Sequence, residues 1–222
     1  ITRGEGVYVY DDGGKQYLEG MAGLWCASLG FNNERLAETA ARQMRTLSFY
    51  HGFNQKSHQP QIKLAERLLE LAPVPMSKVF FANSGSEAID SAIKLIWYRN
   101  NALGKPEKKK IIGRTNGYHG VTLAAASVTA TPINHEAFDL PIAGFLHTDC
   151  PHYASQAKVG ESEEDYATRC ADNLDRLIQQ EGAGTVAAFF AEPVMGAGGV
   201  LLPPATYFAK IQAVLKAHDV LL

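Results

Sequence analysis

Apolar and polar residues alternate along positions 6–19, with Val7, Tyr8, Val9 and Tyr10 before Asp12-Gly13-Gly14 and Gln16, Tyr17 and Leu18 after it. A period of two around a turn of that composition predicts a β-hairpin. Over 33–46 and 60–71 the period lengthens to that of a helix, and Pro73 and Pro75 stop the second one. Residues 78–82, with β-branched Val79 and aromatic Phe80 and Phe81 at their centre, read as a buried strand. Beyond them Ile89, Ile93, Ile96 and Trp97 fall on one helical face. Lys110–Arg114 and Val186–Ala191 are further strand candidates, and 121–130, 164–181 and 204–218 are helix candidates, the last opened by Pro204. Residues 131–162 read as loop, with Pro132, Pro141 and Pro151 among polar clusters. Asp219-Val220-Leu221-Leu222 has the composition of a fourth strand beginning.

Strands that alternate with helices predict an α/β layer with a mostly parallel sheet and flanking helices. Ligands in such sheets sit outside the carboxyl ends of the strands. Three polar or glycine-rich clusters follow predicted strands: Ser84–Glu87, Gly117–Gly120 and Glu192–Gly199. The spacing is compatible with one shared pocket. In the first cluster, Ser84 with Glu87 three residues on is a capping-box pattern, which places a helix start there. A helix N-terminus carries unpaired N–H groups and partial positive charge. Gly85 would let an anion approach, and Ser84 and Ser86 would add hydroxyl donors. Two readings stand at this point: an ordinary capped helix and a phosphate cradle.

The chain has 222 residues, 46% hydrophobic and 20% charged, enough for one large domain or one and a half. A formal net charge of -2 gives no reason to expect nucleic acid or an anionic membrane as partner. No apolar stretch approaches the roughly 20 residues that span a bilayer. Cys26, Cys150 and Cys170 are odd in number and lack metal-ligand spacing, which favours a reduced, cytoplasmic setting over a disulfide framework. The abrupt start at Ile1 and the strand beginning at Asp219 read as a piece of a longer protein.

Asn83-Ser84-Gly85-Ser86-Glu87-Ala88, Asn116-Gly117-Tyr118-His119-Gly120 and Glu192-Pro193-Val194-Met195-Gly196-Ala197-Gly198-Gly199, in this order, resemble class III aminotransferases. Pro203-Pro204-Ala205-Thr206-Tyr207 and His218-Asp219-Val220-Leu221-Leu222 fit the same family, and Gly23-Leu24-Trp25-Cys26 is similar to its pyruvate-using omega-transaminases. The resemblance covers essentially the whole chain. It implies the fold type I architecture of pyridoxal-phosphate-dependent transferases with its C-terminal part absent. Residues 1–50 would belong to the small domain, and 51–222 would be the first portion of the large cofactor-binding domain.

The resemblance further implies roles. Gly85 and Ser86 would hold the phosphate of pyridoxal 5'-phosphate, and Tyr118 would stack on its ring. Glu192 would lie beside the cofactor and position an arginine or a polar group of the substrate. Trp25 would line the substrate pocket, and Phe53 would reach the pocket of a neighbouring subunit in a homodimer. The lysine that forms a Schiff base with the cofactor, and the acid facing the ring nitrogen, would lie beyond Leu222. Lys94, Lys210 and Lys216 do not occupy the family position, so no catalytic residue is expected in this chain. The expected reaction moves an amino group from an amine or omega-amino acid to a keto acid such as pyruvate. A non-catalytic phosphate-binding or dimerising fragment, and a sister reaction such as an aminomutase or decarboxylase, are the alternatives. Each residue also has a structural reading: core packing for Trp25, Phe53 and Tyr118, a loop hydrogen bond for His119, a surface ion pair for Glu192, a tight turn for Gly196–Gly199.

Overall fold

Residues 1–222 are described throughout by a computed structural model, and tertiary contacts divide them into two units, Ile1–Val79 and Phe80–Leu222. In the first unit the predicted hairpin is present as β2 (Tyr8–Tyr10) and β3 (Gln16–Leu18), joined by an unpredicted β1 (Arg3–Glu5) in an antiparallel sheet. Asp11 pins the turn: its carboxylate accepts from Lys15 N at 2.9 Å and from the Tyr17 hydroxyl at 2.8 Å. Next comes α1 (Ala22–Trp25), a single left-handed turn in which Ala22, Gly23, Leu24 and Trp25 all have positive φ. The two predicted helices follow. α2 (Glu34–Leu47) is capped by Asn33, and α3 (Gln59–Leu71) is capped by His58 and ends before Pro73. Neither helix buries a residue, and Val9 is the one buried side chain of the unit.

The second unit is built on a parallel sheet. β4 (Lys110–Arg114) lies between β5 (Phe145–Thr148) and β6 (Val186–Phe189), and Leu221 adds a parallel bridge to Ala188. Its helices are α4 (Gly85–Ala102), α5 (Leu123–Val128), α6 (Tyr153–Gln156), α7 (Glu163–Glu181) and α8 (Tyr207–Ala217). The period of two along the strands assigns their faces. Ile111 and Ala188 pack with Ile93 and Val128 from α4 and α5, whereas Ile112 and Phe189 pack with Tyr166, Leu174, Ile178, Ile211 and Leu215 from α7 and α8. The result is a three-layer α/β arrangement with helices on both faces of the sheet, as the alternation of elements predicts.

Three expectations are corrected. Residues 78–82 do not form a strand. They pair with no neighbour, and Phe80 is 72% exposed. A high β-propensity reports fit to a half-buried pleated surface, and here no strand lies alongside to supply the ladder. Residues 131–162 are not all loop, because they contain β5 and α6. Pro204 does not open α8: the helix begins at Tyr207, whose N–H bonds to the Pro204 carbonyl one turn before it.

Candidate functional site

The first turn of α4 has the predicted capping box. Ser84 Oγ accepts from Glu87 N at 3.2 Å, and the Glu87 carboxylate accepts from Asn83 N at 2.8 Å. With Ser84 committed to the Glu87 backbone and Glu87 to the Asn83 backbone, the N–H groups of Gly85 and Ser86 have no partner inside the helix. A Cβ built on Gly85 meets nothing within 4 Å, and its φ is ordinary. Neither the backbone nor the packing therefore requires glycine at this position. Open space above two unpaired amides is what close approach by an anion would use.

Ser86 is held from across the sheet end. Its Oγ accepts from Val121 N at 2.9 Å. That bond occupies a lone pair and leaves the hydroxyl proton to be donated elsewhere. The 120–125 turn is fastened to α4 a second time through Asp90, whose carboxylate accepts from the Thr122 hydroxyl at 2.8 Å and from Ala125 N at 3.1 Å. Asp90 therefore caps α5 from another helix. Gly120 lies so close to Ser86 that a Cβ there would stand 2.5 Å from Ser86 Oγ.

The other two clusters meet the first in the same unit. Tyr118, 38% exposed, donates its backbone N–H to Glu192 Oε1 at 3.0 Å. Glu192 Oε2 accepts from Gly196 N at 3.0 Å. Gly198 sits against Asn116, where a Cβ would come within 2.5 Å of the Asn116 carbonyl oxygen. Arg114, fully buried at the end of β4, donates from Nη2 to the Glu192 carbonyl at 2.5 Å, while its Nε and Nη1 have no hydrogen-bond partner. His119 donates its backbone N–H to Thr129 Oγ1 at 2.8 Å, and its ring stands edge-on to Phe190. Burial lowers its pKa to about 4, against an opposing pull from Glu192, and its Nε2 has no partner. A neutral ring is thus held in this turn by packing, and the loop hydrogen bond expected of His119 is made by its backbone N–H and not by its ring. Tyr207 is also buried with its hydroxyl unpartnered, and burial raises its pKa to about 12.

Ser86, Tyr118 and Glu192 are therefore brought together with Gly85 around the ends of β4 and β6 and the start of α4. Trp25 and Phe53 belong to the first unit and are 58% and 71% exposed. Trp25 ends the left-handed turn α1, a conformation that costs non-glycine residues about 1–2 kcal/mol each. Two contributors escaped the sequence reading. Asp90 lies four residues after Ser86, a polar position on the buried side of an apolar helix, and that spacing was its one signal. Arg114 closes an apolar strand, where its burial could not be read from composition.

This fold and this convergence define a protein of the aminotransferase type. The chain belongs to the class III aminotransferases: the family model Aminotransferase class-III matches residues 1–222. A chloroplastic gamma aminobutyrate transaminase 3 of Solanum lycopersicum is 55% identical over 222 residues, covering 100% of this chain and 43% of that protein. A vanillin aminotransferase of Capsicum frutescens is 54% identical over 100% of this chain and 48% of its own length. Among solved structures, a transaminase with L-ala superposes with a TM-score of 0.97 at 61% identity, covering 100% of this chain and 52% of that one. The omega transaminase from Pseudomonas jessenii in complex with PMP also gives 0.97, at 60% identity, over 99% of this chain and 49% of its own. The chain thus spans about half the length of the curated relatives it matches.

Class III aminotransferases use pyridoxal phosphate, and the residues present fit that group. The phosphate would face the open space over Gly85, two unpaired amides and a hydroxyl whose proton is left to donate.

Proposed function

We propose that this chain supplies the phosphate cradle and one wall of the cofactor site of an enzyme that transfers an amino group from an amine or omega-amino acid to a keto acid such as pyruvate. The observation that carries the reading is the Val121–Ser86 hydrogen bond at 2.9 Å beside the open first turn of α4. It presets the Ser86 hydroxyl as a donor at the place where two helix amides already point. Gly85 and Ser86 would bind the phosphate, Tyr118 would pack its ring against the pyridine ring, and Asp90 would keep the 120–125 turn from drifting. When bound, pyridoxal phosphate supplies an aldehyde that takes up the amino group and a ring that withdraws electrons from it. The chain's own contribution is placement: it fixes the anchored end so that the reactive end is presented in one orientation.

The relatives named for gamma aminobutyrate and vanillin, and the omega transaminases among the solved structures, support an amine or omega-amino acid as donor. Trp25 and Phe53 are proposed to line the donor pocket, Phe53 from a second copy of the chain. The exposure of Leu24, Trp25, Phe49 and Phe53 in the first unit supports such pairing. The free thiols Cys26, Cys150 and Cys170 support a reducing compartment.

Ser86→Ala tests the reading. It removes one charge-assisted hydrogen bond to the phosphate together with the acceptor of Val121 N, and is expected to weaken cofactor retention by about 1.5–3 kcal/mol, while Asp90 still ties the 120–125 turn to α4. Dialysis of the holoenzyme followed by cofactor assay measures this. Retention equal to that of the parent protein contradicts it.

A further inference from the structure

Four amides of the turn that carries Tyr118 each have their own holder. Gly117 N donates to the Arg114 carbonyl at 2.9 Å, His119 N to Thr129 Oγ1 at 2.8 Å and Val121 N to Ser86 Oγ at 2.9 Å. These partners come from β4, the end of α5 and the start of α4. Tyr118 N alone is held from beyond β6, by Glu192 Oε1 at 3.0 Å, across 74 positions of sequence. The second carboxylate oxygen is committed as well, to Gly196 N at 3.0 Å. Glu192 is itself anchored, because its carbonyl accepts from the buried Arg114 at 2.5 Å and Pro193 restricts the backbone that follows. A carboxylate fixed at its own main chain and spent on two amides is a rigid bracket between the Tyr118 turn and the Gly196–Gly199 turn. The close seating of Gly198 on Asn116 is the packing counterpart of that bracket.

We propose that Glu192 is a positioning residue that acts through Tyr118: its carboxylate fixes the backbone from which the aromatic ring projects, and it does so before any cofactor is present. The proposal rests on the reading above that the Tyr118 ring packs against the cofactor. It differs from the role the family resemblance implies, in which this carboxylate engages an arginine or a polar group of the substrate. A Glu192 committed to two backbone amides is not available for such a partner unless it releases Tyr118.

The test uses Glu192→Ala, Glu192→Gln and Tyr118→Ala, alone and combined, with pyridoxal 5'-phosphate and inorganic phosphate as probes. In the unliganded protein, Glu192→Ala is expected to speed hydrogen exchange of the Tyr118 and Gly196 amides by about tenfold or more, the loss of a hydrogen bond to a charged acceptor, and to leave the Val121 amide unchanged. Glu192→Gln keeps the shape and one acceptor, so only one of the two amides loses protection. In the complete enzyme freed of cofactor, Glu192→Ala is expected to weaken pyridoxal phosphate binding about tenfold and inorganic phosphate binding less than twofold, because the bracket acts on the ring and not on the anion. In the Tyr118→Ala background the pyridoxal phosphate effect should vanish, since coupled residues are not additive. An equal loss in both backgrounds, or an unaltered Tyr118 amide, overturns the proposal while leaving the cradle standing. Failure of the complete parent enzyme, freed of cofactor, to bind either probe overturns the cradle, and the proposal with it.

Discussion

Gly120→Ala will dislodge the start of α4 from the turn beside it and abolish cofactor retention. Gly120 has φ +135, and a Cβ there would stand 2.5 Å from Ser86 Oγ, 2.9 Å from Ser86 Cα and 3.0 Å from the Ala125 Cβ. The oxygen could swing aside, but the Ser86 main chain and α5 cannot both retreat: Asp90 ties α4 to α5 through the Thr122 hydroxyl and Ala125 N. Backbone strain and overpacking together cost about 3–5 kcal/mol. The Val121–Ser86 hydrogen bond breaks in the process, so the hydroxyl is no longer preset as a donor. Thermal unfolding should show a midpoint lower by about 10 °C, and the holoenzyme should lose cofactor more completely than with Ser86→Ala. An unchanged midpoint would mean that the two segments are not in contact. Gly85→Ala is the contrasting case. Its Cβ enters open space at an ordinary φ, so the fold is expected to tolerate it, while the methyl group occupies the place an anion would take.

Acidification will cost the protein up to about 3 kcal/mol between pH 6.5 and pH 4 through one histidine. His119 is buried as the neutral ring, with its pKa lowered to about 4 from 6.5, chiefly by desolvation and in opposition to Glu192. Within that window the unfolded chain binds a proton that the folded chain refuses. Stability is therefore full above pH 6.5 and is lost as pH falls toward 4. His147, also held below its ordinary range by burial, acts in the same direction. His119→Gln is neutral at every pH and should flatten the acid limb of a stability profile measured by denaturant unfolding. A limb equally steep in the variant would assign the effect to other groups.

Local chemistry made much of this legible beforehand. The Ser84–Glu87 capping box is written within four residues; its Ser84–Glu87 hydrogen bond is where the pattern places it, while the returning carboxylate takes the N–H of Asn83, one residue before the cap. The helices 33–46, 60–71 and 164–181 carry long amphipathic repeats that tertiary context had no reason to override, and each is present within a residue or two. β6 read as a strand because its run is continuously apolar, as a strand covered on both faces is, and β4 read as one from the Ile111-Ile112 pair at its centre. β5 escaped because Phe145-Leu146-His147-Thr148 is short and half polar, and its burial depends on pairing with β4. The run 78–82 had the right composition and no neighbour to pair with, a fact no local window contains.

The site divided along the same line. Residue types at a helix start pointed to Gly85 and Ser86 and, at strand ends, to the clusters 117–120 and 192–199, within which the family resemblance picked out Tyr118 and Glu192. What joins them did not appear in the sequence, because Val121 to Ser86 spans 35 positions and Glu192 to Tyr118 spans 74. Asp90 and Arg114 were silent for the same reason: their importance lies in what folding brings beside them.

The central claim is that an anionic group docks on the first turn of α4. Titration of the protein with pyridoxal 5'-phosphate, followed by amide chemical shifts, tests it most directly. Saturable shifts of the Gly85 and Ser86 amides that disappear in Gly85→Ala, with the fold of that variant intact, are the result expected. Saturable binding that leaves those two amides unmoved, or shifts that survive Gly85→Ala at full affinity, would contradict it.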